Sequence, residues 1–440
     1  MRILHYILGL PPYRTGGSIK YCVDLMQEQA AHGDEVMCLW PGRIRSMSAQ
    51  PIIKEVREFR GIRNFEMINP LPVSLDEGIA DICAYTRNAD IGVFKAFLTK
   101  NRPDILHVHT LMGLYEELVR AAKELGIKTV FTTHDYFGLC PKVTFIYKGH
   151  SCDMSEGCEG CEECNQSALP LNKIKLLQSP FYRRFKDSAL IKAMRKKHRS
   201  SFFSETDGAV AQDAEPSGKY IGLRKFYVGI LNEMDIIHCN SSVTAEVYAK
   251  FINSDRLFVQ PISHSDVARR CIRREYSENI RLIYLAPIKQ FKGFMILRDA
   301  LDRLWDEGEK RFALHVYCDE VIDRPYIVRH GRFAYEELPK VFDGGDVLVA
   351  PSVCHESFGF TVLEALSYGV PVLASDRVGA KDLVKGFGEV FCADSVSALY
   401  DTIKGLTPDK LSEYNRAIVE NFQIRTSYEL ARCVYEQFAK

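Results

Sequence analysis

The segment HESFGFTVLEALSYGVPV, residues 355–372, carries the clearest pattern in this sequence of 440 residues. The apolar run before it, 346–351, predicts a strand that leads into a loop containing Glu356, and residues 360–368 are predicted to form a helix. In open α/β sheets, ligands bind at the carboxyl ends of the strands, and backbone N–H groups at a helix start bind phosphate. The segment therefore predicts an α/β domain with an anion site at the start of this helix.

Two carboxylates flank the predicted anion site. Glu356 lies on the loop, and Glu364 falls on the helix face away from the apolar stripe of Val362, Leu363 and Leu366. Acids beside a phosphate are unfavourable unless they bind hydroxyls, so ribose and sugar hydroxyls are their natural partners. The alternative is a solvent-exposed acid at each position.

The same alternation of apolar runs and amphipathic stretches extends along most of the chain. In the first third it predicts strands at 2–8, 35–40, 104–108 and 128–133, with helices at 18–31 and 112–125. After residue 275 it predicts strands at 280–286, 312–318, 346–351, 371–375 and 389–393, with a further helix at 293–305. Such strands separated by helices indicate parallel sheets covered on both faces, and hence two α/β domains joined through 235–262.

The composition excludes several classes of protein. Hydrophobic residues make up 46% and charged residues 26%, as in a globular protein. Lys plus Arg equals 57 and Asp plus Glu equals 57, which argues against nucleic-acid binding through overall charge. No apolar run approaches the length of a membrane span, and the N-terminal run ends at Pro11 and Pro12 without a cleavage site. A cytoplasmic protein without a signal peptide is therefore expected.

The segment 355–372 resembles the Glu-x7-Glu motif of the retaining glycosyltransferases of family 4, which have the GT-B fold. Further similar segments follow one another in the expected order: PYRTGGSIK at 12–20, HVHT at 107–110, THD at 133–135, DVLVAPS at 346–352 and VGAKDLV at 378–384. The resemblance implies two Rossmann-like domains facing across a cleft. The implied division is an acceptor-side domain at 1–234, a nucleotide-sugar domain at 235–410, and C-terminal helices at 411–440 that cross back to the first domain.

The resemblance also implies roles for individual residues. Glu356 would contact the donor sugar, Glu364 the ribose hydroxyls, and His134 would lie beside the reacting sugar, unless His134 merely caps a loop. The catalytic residues implied are Glu356, His134 and Lys292. The donor-binding residues implied are Gly16, Gly17, Lys289, Ser357, Phe358, Gly359, Phe360, Thr361 and Glu364.

One position departs from the family pattern. The family places a basic pair in Gly-Arg-x4-Lys-Gly to neutralise the diphosphate, whereas here Lys292 and Gly293 match but Pro287 stands where the Arg would be. A cation at a leaving diphosphate contributes a few kcal/mol to the transition state, and Lys289 is the candidate to compensate. Since no Asp-x-Asp pair occurs, a metal-clamped diphosphate is not indicated and no cofactor is expected for catalysis.

Four cysteines form a separate cluster in the Cys-rich loop 140–164. Cys152, Cys158, Cys161 and Cys164 have the spacing C-x5-C-x2-C-x2-C, in a stretch that also contains several acids. Four thiolates suit tetrahedral zinc, so a structural zinc that pins this loop is the first hypothesis. An iron–sulfur site, one disulfide and a reduced metal-free loop are the alternatives.

The segment 171–200 has a different composition from the rest. It contains ten Lys or Arg against one acid, Asp187, with apolar residues interleaved. This pattern is typical of basic amphipathic helices, which either lie on an anionic membrane surface or pack on their own domain with a solvated basic face.

These observations predict a retaining, metal-independent hexosyl or glycosyl transferase. It would move a sugar from a nucleotide-diphosphate sugar to a glycan or lipid-linked acceptor in polysaccharide or glycoconjugate synthesis, either in the cytoplasm or as a peripheral protein on the inner membrane face. A sugar-nucleotide epimerase of the same fold is one alternative. A catalytically inactive, metal-stapled binding protein is another, motivated by Pro287 and the cysteines.

Overall fold

The computed structural model describes residues 1–46, 49–75, 77–148, 150–152, 157–185, 188, 217–320 and 322–439. The chain divides into two compact units. The first unit comprises Met1–Asn240, Ala245–His264 and Ser427–Lys440, and the second comprises Ser241–Thr244 and Ser265–Thr426.

The first unit is built on an eight-stranded sheet with the order β10-β9-β6-β5-β1-β2-β4-β3. Its strands are β1 (Arg2–Tyr6), β2 (Glu35–Pro41), β3 (Ile52–Phe59), β4 (Ile62–Ile68), β5 (Ile105–Val108), β6 (Lys128–Thr133), β9 (Ile236–Cys239) and β10 (Leu257–Val259). All neighbours pair in parallel except β3, which is antiparallel to β4. A separate antiparallel pair is formed by β7 (Ile146–Tyr147) and β8 (His150–Ser151).

The described helices of the first unit are Gly17–Ala31, Ile82–Tyr85, Ile91–Asn101, Glu116–Glu124, Cys161–Cys164, Leu171–Leu177, Pro180–Phe185, Gly218–Glu233 and Ser427–Tyr435. Short 3-10 turns lie at Ser254–Arg256 and Glu436–Ala439. The helix Ser242–Tyr248 begins in residues of the second unit and ends in residues of the first.

The second unit is built on a six-stranded, fully parallel sheet with the order β13-β12-β11-β14-β15-β16. Its strands are β11 (Ile280–Tyr284), β12 (Phe312–Val316), β13 (Ile327–Arg329), β14 (Val347–Ala350), β15 (Val372–Ser375) and β16 (Gly388–Phe391). Its α-helices are Phe294–Asp306, Leu338–Asp343, Phe360–Ser367, Val396–Lys404 and Pro408–Asn421. Its 3-10 turns are Gln290–Lys292, Tyr335–Glu337 and Gly379–Leu383.

The prediction of two α/β units with parallel sheets is confirmed by this topology. Most of the strands predicted from apolar runs are central ones, and in β6 and β15, for example, nearly every residue is buried. The predicted strand 389–393 corresponds to β16, at the edge of the second sheet. The strand β3 has the opposite character, because its residues are exposed or half-buried and it lies at the edge of its sheet. The sequence IIKEVREF of β3 has no continuous apolar run, so the sequence pattern did not predict this strand.

The division of the chain differs from the predicted one at both boundaries. The predicted boundary between 234 and 235 falls inside the first unit, because β9 pairs with β6 in the register Val130↔Ile236 and extends the first sheet. The helix Pro408–Asn421 belongs to the second unit, where the Asn415 side-chain amide donates to the backbone oxygens of Ile272 and Gly369. Within the predicted tail 411–440, it is Ser427–Lys440 that returns to the first unit.

The strand order reverses once in each sheet, and this places the candidate sites. In the second sheet the chain proceeds from β11 outward to β13 and then restarts at β14 on the other side of β11. In the first sheet β2 and β5 lie on opposite sides of β1. Loops leaving neighbouring strands in opposite directions open a crevice at the carboxyl ends, where ligands bind in open α/β sheets.

In the second unit, the backbone of Pro351 approaches Gly293 so closely that only a glycine fits at position 293. Gly293 has φ +73°, and a Cβ there would lie 1.7 Å from the backbone oxygen of Pro351. We expect Gly293→Ala to lower the free energy of unfolding by about 2–4 kcal/mol, measured as a loss of thermal stability. Gly308→Ala is the matched control, because Gly308 has φ +90° with nothing within 4 Å of the added Cβ. Equal losses in the two variants would contradict the close-contact explanation.

Candidate functional site

The switch point of the second sheet brings together Lys292 and Glu356. Lys292 ends the turn that follows β11, and Glu356 lies in the loop that follows β14. Because β11 and β14 are neighbours in the sheet, their carboxyl-terminal loops meet. The Nζ of Lys292 lies 2.9 Å from Oε1 of Glu356, so two of the three predicted catalytic residues form an ion pair.

The Glu356 carboxylate is also held by a neighbour on its own loop. The hydroxyl of Ser352 donates to Oε2 of Glu356 over 2.6 Å. Burial by itself would raise the pKa of Glu356, but the charge of Lys292 and the hydrogen bonds from Ser352 and Lys292 outweigh it and lower the pKa. Burial would likewise lower the pKa of Lys292, and the charge of Glu356 reverses that effect. Both groups are therefore charged at neutral pH.

The backbone of the Glu356 loop is fixed against the segment that follows β15. The N–H of Glu356 donates to the oxygen of Arg377 over 2.9 Å, and the N–H of Gly379 donates to the oxygen of Glu356 over 2.9 Å. The N–H of Ala380 donates to the oxygen of Phe358. A Cβ on Gly379 would lie 2.2 Å from the oxygen of Ser357, so a glycine is needed for this approach. The loop therefore holds Glu356 in a defined position.

Glu364 lies one turn or more into the helix Phe360–Ser367 and is buried rather than solvated. The hydroxyl of Tyr335 donates to its Oε1 over 2.9 Å. The exposed-acid alternative is therefore wrong for Glu364. Sequence reasoning missed Tyr335 and Ser352 as partners of the two acids, although Ser352 lies inside the segment DVLVAPS that resembles the family.

The remaining predicted donor-binding residues of this unit lie around the same helix start. Gly359 is the residue before the helix and has φ +97°, and Phe358 is buried. Ser357, Phe360 and Thr361 are half-buried. The Nζ of Lys289 lies 5.2 Å from the ring centre of Phe291, while Pro287 is exposed.

The predicted residues of the first unit lie at its own switch point. Gly16 directly precedes the helix Gly17–Ala31 and has φ +126°, and Gly17 is the first residue of that helix. His134 directly follows β6, the neighbour of β5. Its Nε2 lies 3.3 Å from Nδ1 of His109, and the ring of Tyr21 is 5.1 Å away. Burial, together with the nearby His238, lowers the pKa of His134 to about 3, so this imidazole is neutral at physiological pH.

Asp135, the residue after His134, is held by two backbone contacts. Its Oδ1 accepts from the N–H of Phe137 over 2.9 Å, and its backbone oxygen accepts from the hydroxyl of Tyr248. Burial raises the pKa of Asp135 to about 6 despite the bond from Phe137. These contacts fix the strand end that carries His134.

The predicted metal ligands lie close to one another but do not form a preorganised tetrahedral site. The neighbouring Cys161 lowers the pKa of Cys158 to about 7, whereas burial raises the pKa of Cys140. Among the described residues, no three of these thiols have all their sulfur atoms within 4.8 Å of one another. The zinc hypothesis for Cys152, Cys158, Cys161 and Cys164 stays a prediction.

Only the first part of the basic segment 171–200 is described. It forms the helices Leu171–Leu177 and Pro180–Phe185. On these helices, the exposed fractions of Leu176, Phe181 and Phe185 are 54%, 64% and 42%. Three further basic residues of this segment, Arg195, Lys196 and Lys197, lie outside the described residues. In the described part of the chain, no helix has the length and hydrophobicity needed to span a bilayer.

Two family models match the chain, one in each unit. The model described as "Glycosyltransferase Family 4" matches residues 15–152, and the model described as "Glycosyl transferases group 1" matches residues 279–409. The first match includes Gly16 and His134, and the second includes Lys292 and Glu356. Each candidate switch point therefore lies within a glycosyltransferase match.

Two curated relatives are similar over a shorter region. An uncharacterized 41.2 kDa protein of the cps region of Klebsiella pneumoniae is 28% identical over 123 residues, which are 26% of this chain and 33% of that protein. An uncharacterized glycosyltransferase of Methanocaldococcus jannaschii is 28% identical over 127 residues, which are 27% of this chain and 32% of that protein. The matches thus span about a third of each relative.

Several solved structures are similar over the whole chain. Sucrose-phosphate synthase from Thermosynechococcus elongatus superposes with a TM-score of 0.55 at 13% identity, covering 100% of this chain and 99% of that one. Anabaena HepE in complex with UDP gives 0.55 at 13% identity with 100% of both chains covered. WaaG, a glycosyltransferase involved in lipopolysaccharide biosynthesis, gives 0.51 at 13% identity with 99% of both covered. These similarities confirm the predicted GT-B fold.

The Lys292–Glu356 pair predicts a pH-dependent contribution to stability. Because the pKa of Glu356 lies below its ordinary value of 4.5, the stabilisation is present above pH 4.5 and is lost as the pH falls through the lowered pKa. We expect Lys292→Met to raise this pKa and to lower the free energy of unfolding at pH 7 by about 1–3 kcal/mol. The difference from wild type should shrink toward acid pH in denaturant titrations.

Arg273→Met is the control for that variant, because Arg273 forms an ion pair of 2.6 Å with Glu420 in the same unit, with both side chains 53% exposed. An exposed pair contributes little, so this variant should unfold like wild type at every pH. A loss in Lys292→Met that stays constant down to pH 3 would contradict the assigned role of the Glu356 charge.

The cysteine cluster gives a prediction that needs no substrate. We expect about one zinc per chain, measured by atomic emission on protein purified without chelator. Cys161→Ser should lose this zinc, whereas Cys83→Ser should keep it, since Cys83 is an exposed thiol outside the cluster. Bound iron with visible absorption would favour the iron–sulfur alternative. Metal-free wild-type protein would contradict both.

Proposed function

We propose that this chain is a glycosyltransferase that moves a sugar from a nucleotide-diphosphate sugar to a glycan or lipid-linked acceptor in glycoconjugate synthesis. The observation that carries the proposal is the ion pair between Lys292 and Glu356 at the switch point of the second sheet, beside the start of the helix Phe360–Ser367. A cation, a carboxylate and helix N–H groups in one crevice provide partners for a diphosphate and for sugar hydroxyls. The two glycosyltransferase family models support it.

The donor is a nucleotide-diphosphate sugar in this proposal. Lys292 would offset the charge of the diphosphate, and the N–H groups around residues 358–361 would donate to its oxygens. Lys289 would add the second cation that Pro287 does not supply. The crystal structure of the structural neighbour HepE contains UDP, which agrees with a nucleotide ligand in this fold.

The reaction proposed is transfer with retention. The bond between the anomeric carbon and the diphosphate oxygen breaks, and the acceptor hydroxyl attacks from the same face while its proton passes to the leaving phosphate oxygen. Charge accumulates on the diphosphate as the sugar becomes oxocarbenium-like, and fixed positive groups stabilise that charge. Glu356, kept ionised by Lys292 and Ser352, would accept hydrogen bonds from sugar hydroxyls and is not assigned as a nucleophile.

The acceptor side is proposed to involve a membrane surface. The exposed Leu176, Phe181 and Phe185 lie among basic residues such as Lys173, Lys175 and Arg184 in the described part of the segment 171–200. Exposed apolar side chains interleaved with positive charge suit the interface of an anionic bilayer, where a lipid-linked acceptor would be found. The enzyme would then be a peripheral membrane protein.

The two alternative functions have less support. An epimerase would use the same nucleotide-sugar binding site but would not need an acceptor. An inactive binding protein would not require a charged, hydrogen-bonded Glu356 beside a lysine, and that arrangement is intact although Pro287 replaces the expected Arg.

The proposal predicts selective nucleotide binding and a requirement for Glu356. Calorimetric titration with UDP, GDP and ADP should give one clear binder, and its sugar conjugate should be hydrolysed slowly in the absence of acceptor. Glu356→Gln should reduce this turnover at least about 100-fold while the protein stays folded. Glu278→Gln, which changes an exposed acid of the same unit, should leave the turnover unchanged.

Other results would redirect the assignment. Conversion of the conjugate to its epimer would select the epimerase. Wild-type turnover in Glu356→Gln would reject the proposed role of Glu356, and binding of none of the three nucleotides would reject the donor site.

A further inference from the structure

The interior of the first unit contains polar side chains that form one continuous line of hydrogen bonds. They lie on or directly after β1, β5, β6 and β9, on the helix Gly17–Ala31 and on the helix Ser427–Tyr435. The backbone oxygen of Gln260, the residue after β10, is at one end of the line. Each strand position is buried, and the parallel register places His5 opposite His107 and Thr132 opposite His238. The members are Gln260, His238, Thr132, His107, Tyr435, Gln29, His5, His109 and His134.

The direction of the first bonds is set by a backbone oxygen. The oxygen of Gln260 only accepts, so Nε2 of His238, 2.7 Å away, must carry a proton. Nδ1 of the neutral His238 is then an acceptor, and the Thr132 hydroxyl at 2.9 Å must donate to it. The oxygen of Thr132 can therefore receive only the proton of His107 Nε2, at 2.7 Å.

The alternation of donors and acceptors continues through the helix Ser427–Tyr435. Nδ1 of His107 has become an acceptor, so the Tyr435 hydroxyl donates to it over 2.8 Å. The oxygen of Tyr435 then accepts from the side-chain amide nitrogen of Gln29 over 3.1 Å. The amide oxygen of Gln29 faces Nε2 of His5 at 2.8 Å, and Nε2 must therefore be the protonated nitrogen of His5.

The line ends at the candidate site. Nδ1 of His5 is an acceptor, so Nε2 of His109 at 2.9 Å carries the proton. Nδ1 of His109 is then an acceptor as well, and it faces Nε2 of His134 at 3.3 Å. His134 is thereby left with its proton on Nε2 and with Nδ1 as its accepting atom.

We propose that this one-way line of hydrogen bonds fixes the tautomer of His134 from a distance, so that His134 presents a neutral acceptor nitrogen to its ligand. Gln260, His238, Thr132, His107, Tyr435, Gln29, His5 and His109 are positioning residues in this proposal. The direction follows from the backbone oxygen at one end, because each intermediate group has one donor and one acceptor role to fill.

The charge state of the histidines agrees with this assignment. Burial lowers the pKa of His5 and of His238 to about 4, with bonds from Gln29 and Gln260 opposing the effect. Burial and the neighbouring imidazoles lower the pKa of His107 and His109 as well. A charged imidazole would place two donors where the line has room for one.

Bound metal is the competing use of the same side chains. His5, His107 and His109 could bring three ring nitrogens within 4.8 Å of one another, and Cys22, His109 and His134 form a second such group. In the first group, however, both ring nitrogens of every histidine already take part in the hydrogen bonds described. A metal there would have to break the line.

A fixed neutral acceptor suits the reaction of the proposed function, on which this part of the inference rests. A cationic imidazole beside an oxocarbenium-like sugar would repel the developing positive charge. A neutral imidazole whose Nδ1 accepts from a hydroxyl of the bound sugar avoids this repulsion and helps to orient the sugar.

The test is a direct measurement of tautomers that needs no substrate. Nitrogen NMR of histidine-labelled full-length protein distinguishes Nδ1–H from Nε2–H imidazole, and His→Gln variants assign the signals. We expect His134, His109, His5, His107 and His238 to be neutral Nε2–H forms between pH 5.5 and about 8. A protonated His134, a mixture of its tautomers, or shifts typical of metal-bound nitrogen would overturn the proposal.

Two variants test the long-range part. Tyr435→Phe and Thr132→Val interrupt the line far from His134, so the Nδ1–H form of His134 should rise from undetectable to about a tenth or more. Tyr227→Phe is the control, because it removes a buried tyrosine hydroxyl that donates to Tyr85 outside the line. Thr132→Val decides the question if Tyr435→Phe does not fold. An unchanged His134 in the folded variants would overturn the proposal.

The outcome is independent of the proposed function. If no nucleotide sugar is turned over, the tautomers can still be measured, and the proposed function alone fails. If turnover is found, the folded line variants should show a lower kcat with little change in KM for the donor, and no kcat effect would reject the catalytic benefit of the fixed tautomer.

Discussion

The ion pair between Lys292 and Glu356 is the contact on which the proposed chemistry depends. It exists because β11 and β14 are neighbours although the chain between them forms β12 and β13. Gly293 permits the turn after β11 to approach Pro351, and Gly379 permits the loop after β15 to approach Ser357. Sheet order, two glycines and the hydroxyl of Ser352 together place one carboxylate and one ammonium group at the same point.

Much of the second unit could be predicted from the sequence. Its central strands are buried and therefore appear as apolar runs. Lys292 and Glu356 lie in the segments that follow two of these runs, and Glu364 lies in the helix after the second run. The partners of the two acids, Ser352 and Tyr335, were not predicted. Hydroxyl side chains are common in loops, and only the folded backbone shows which of them reaches a carboxylate.

The first unit was harder to predict because its distinguishing contacts join distant segments. His134 was identified at a strand end, but His5, His107 and His238 were not predicted to have a role. A single histidine in a strand does not show which side chains it will contact until the strand register is known. The edge strand β3 lacks an apolar run, and β9 lies beyond the predicted boundary at residue 234. Side chains from four strands form one line because those strands are neighbours in the sheet. The spacing of residues along the sequence does not reveal the order of the strands.

The return of Ser427–Lys440 to the first unit has a consequence for how the protein is made. Tyr435 belongs to the polar interior of that unit, yet the ribosome synthesises it after the whole of the second unit. During translation, His107 and Gln29 therefore lack their hydrogen-bond partner, the hydroxyl of Tyr435, while some three hundred residues are added after His107. The polar interior of the first unit can therefore be completed only after the second unit and Tyr435 have been synthesised.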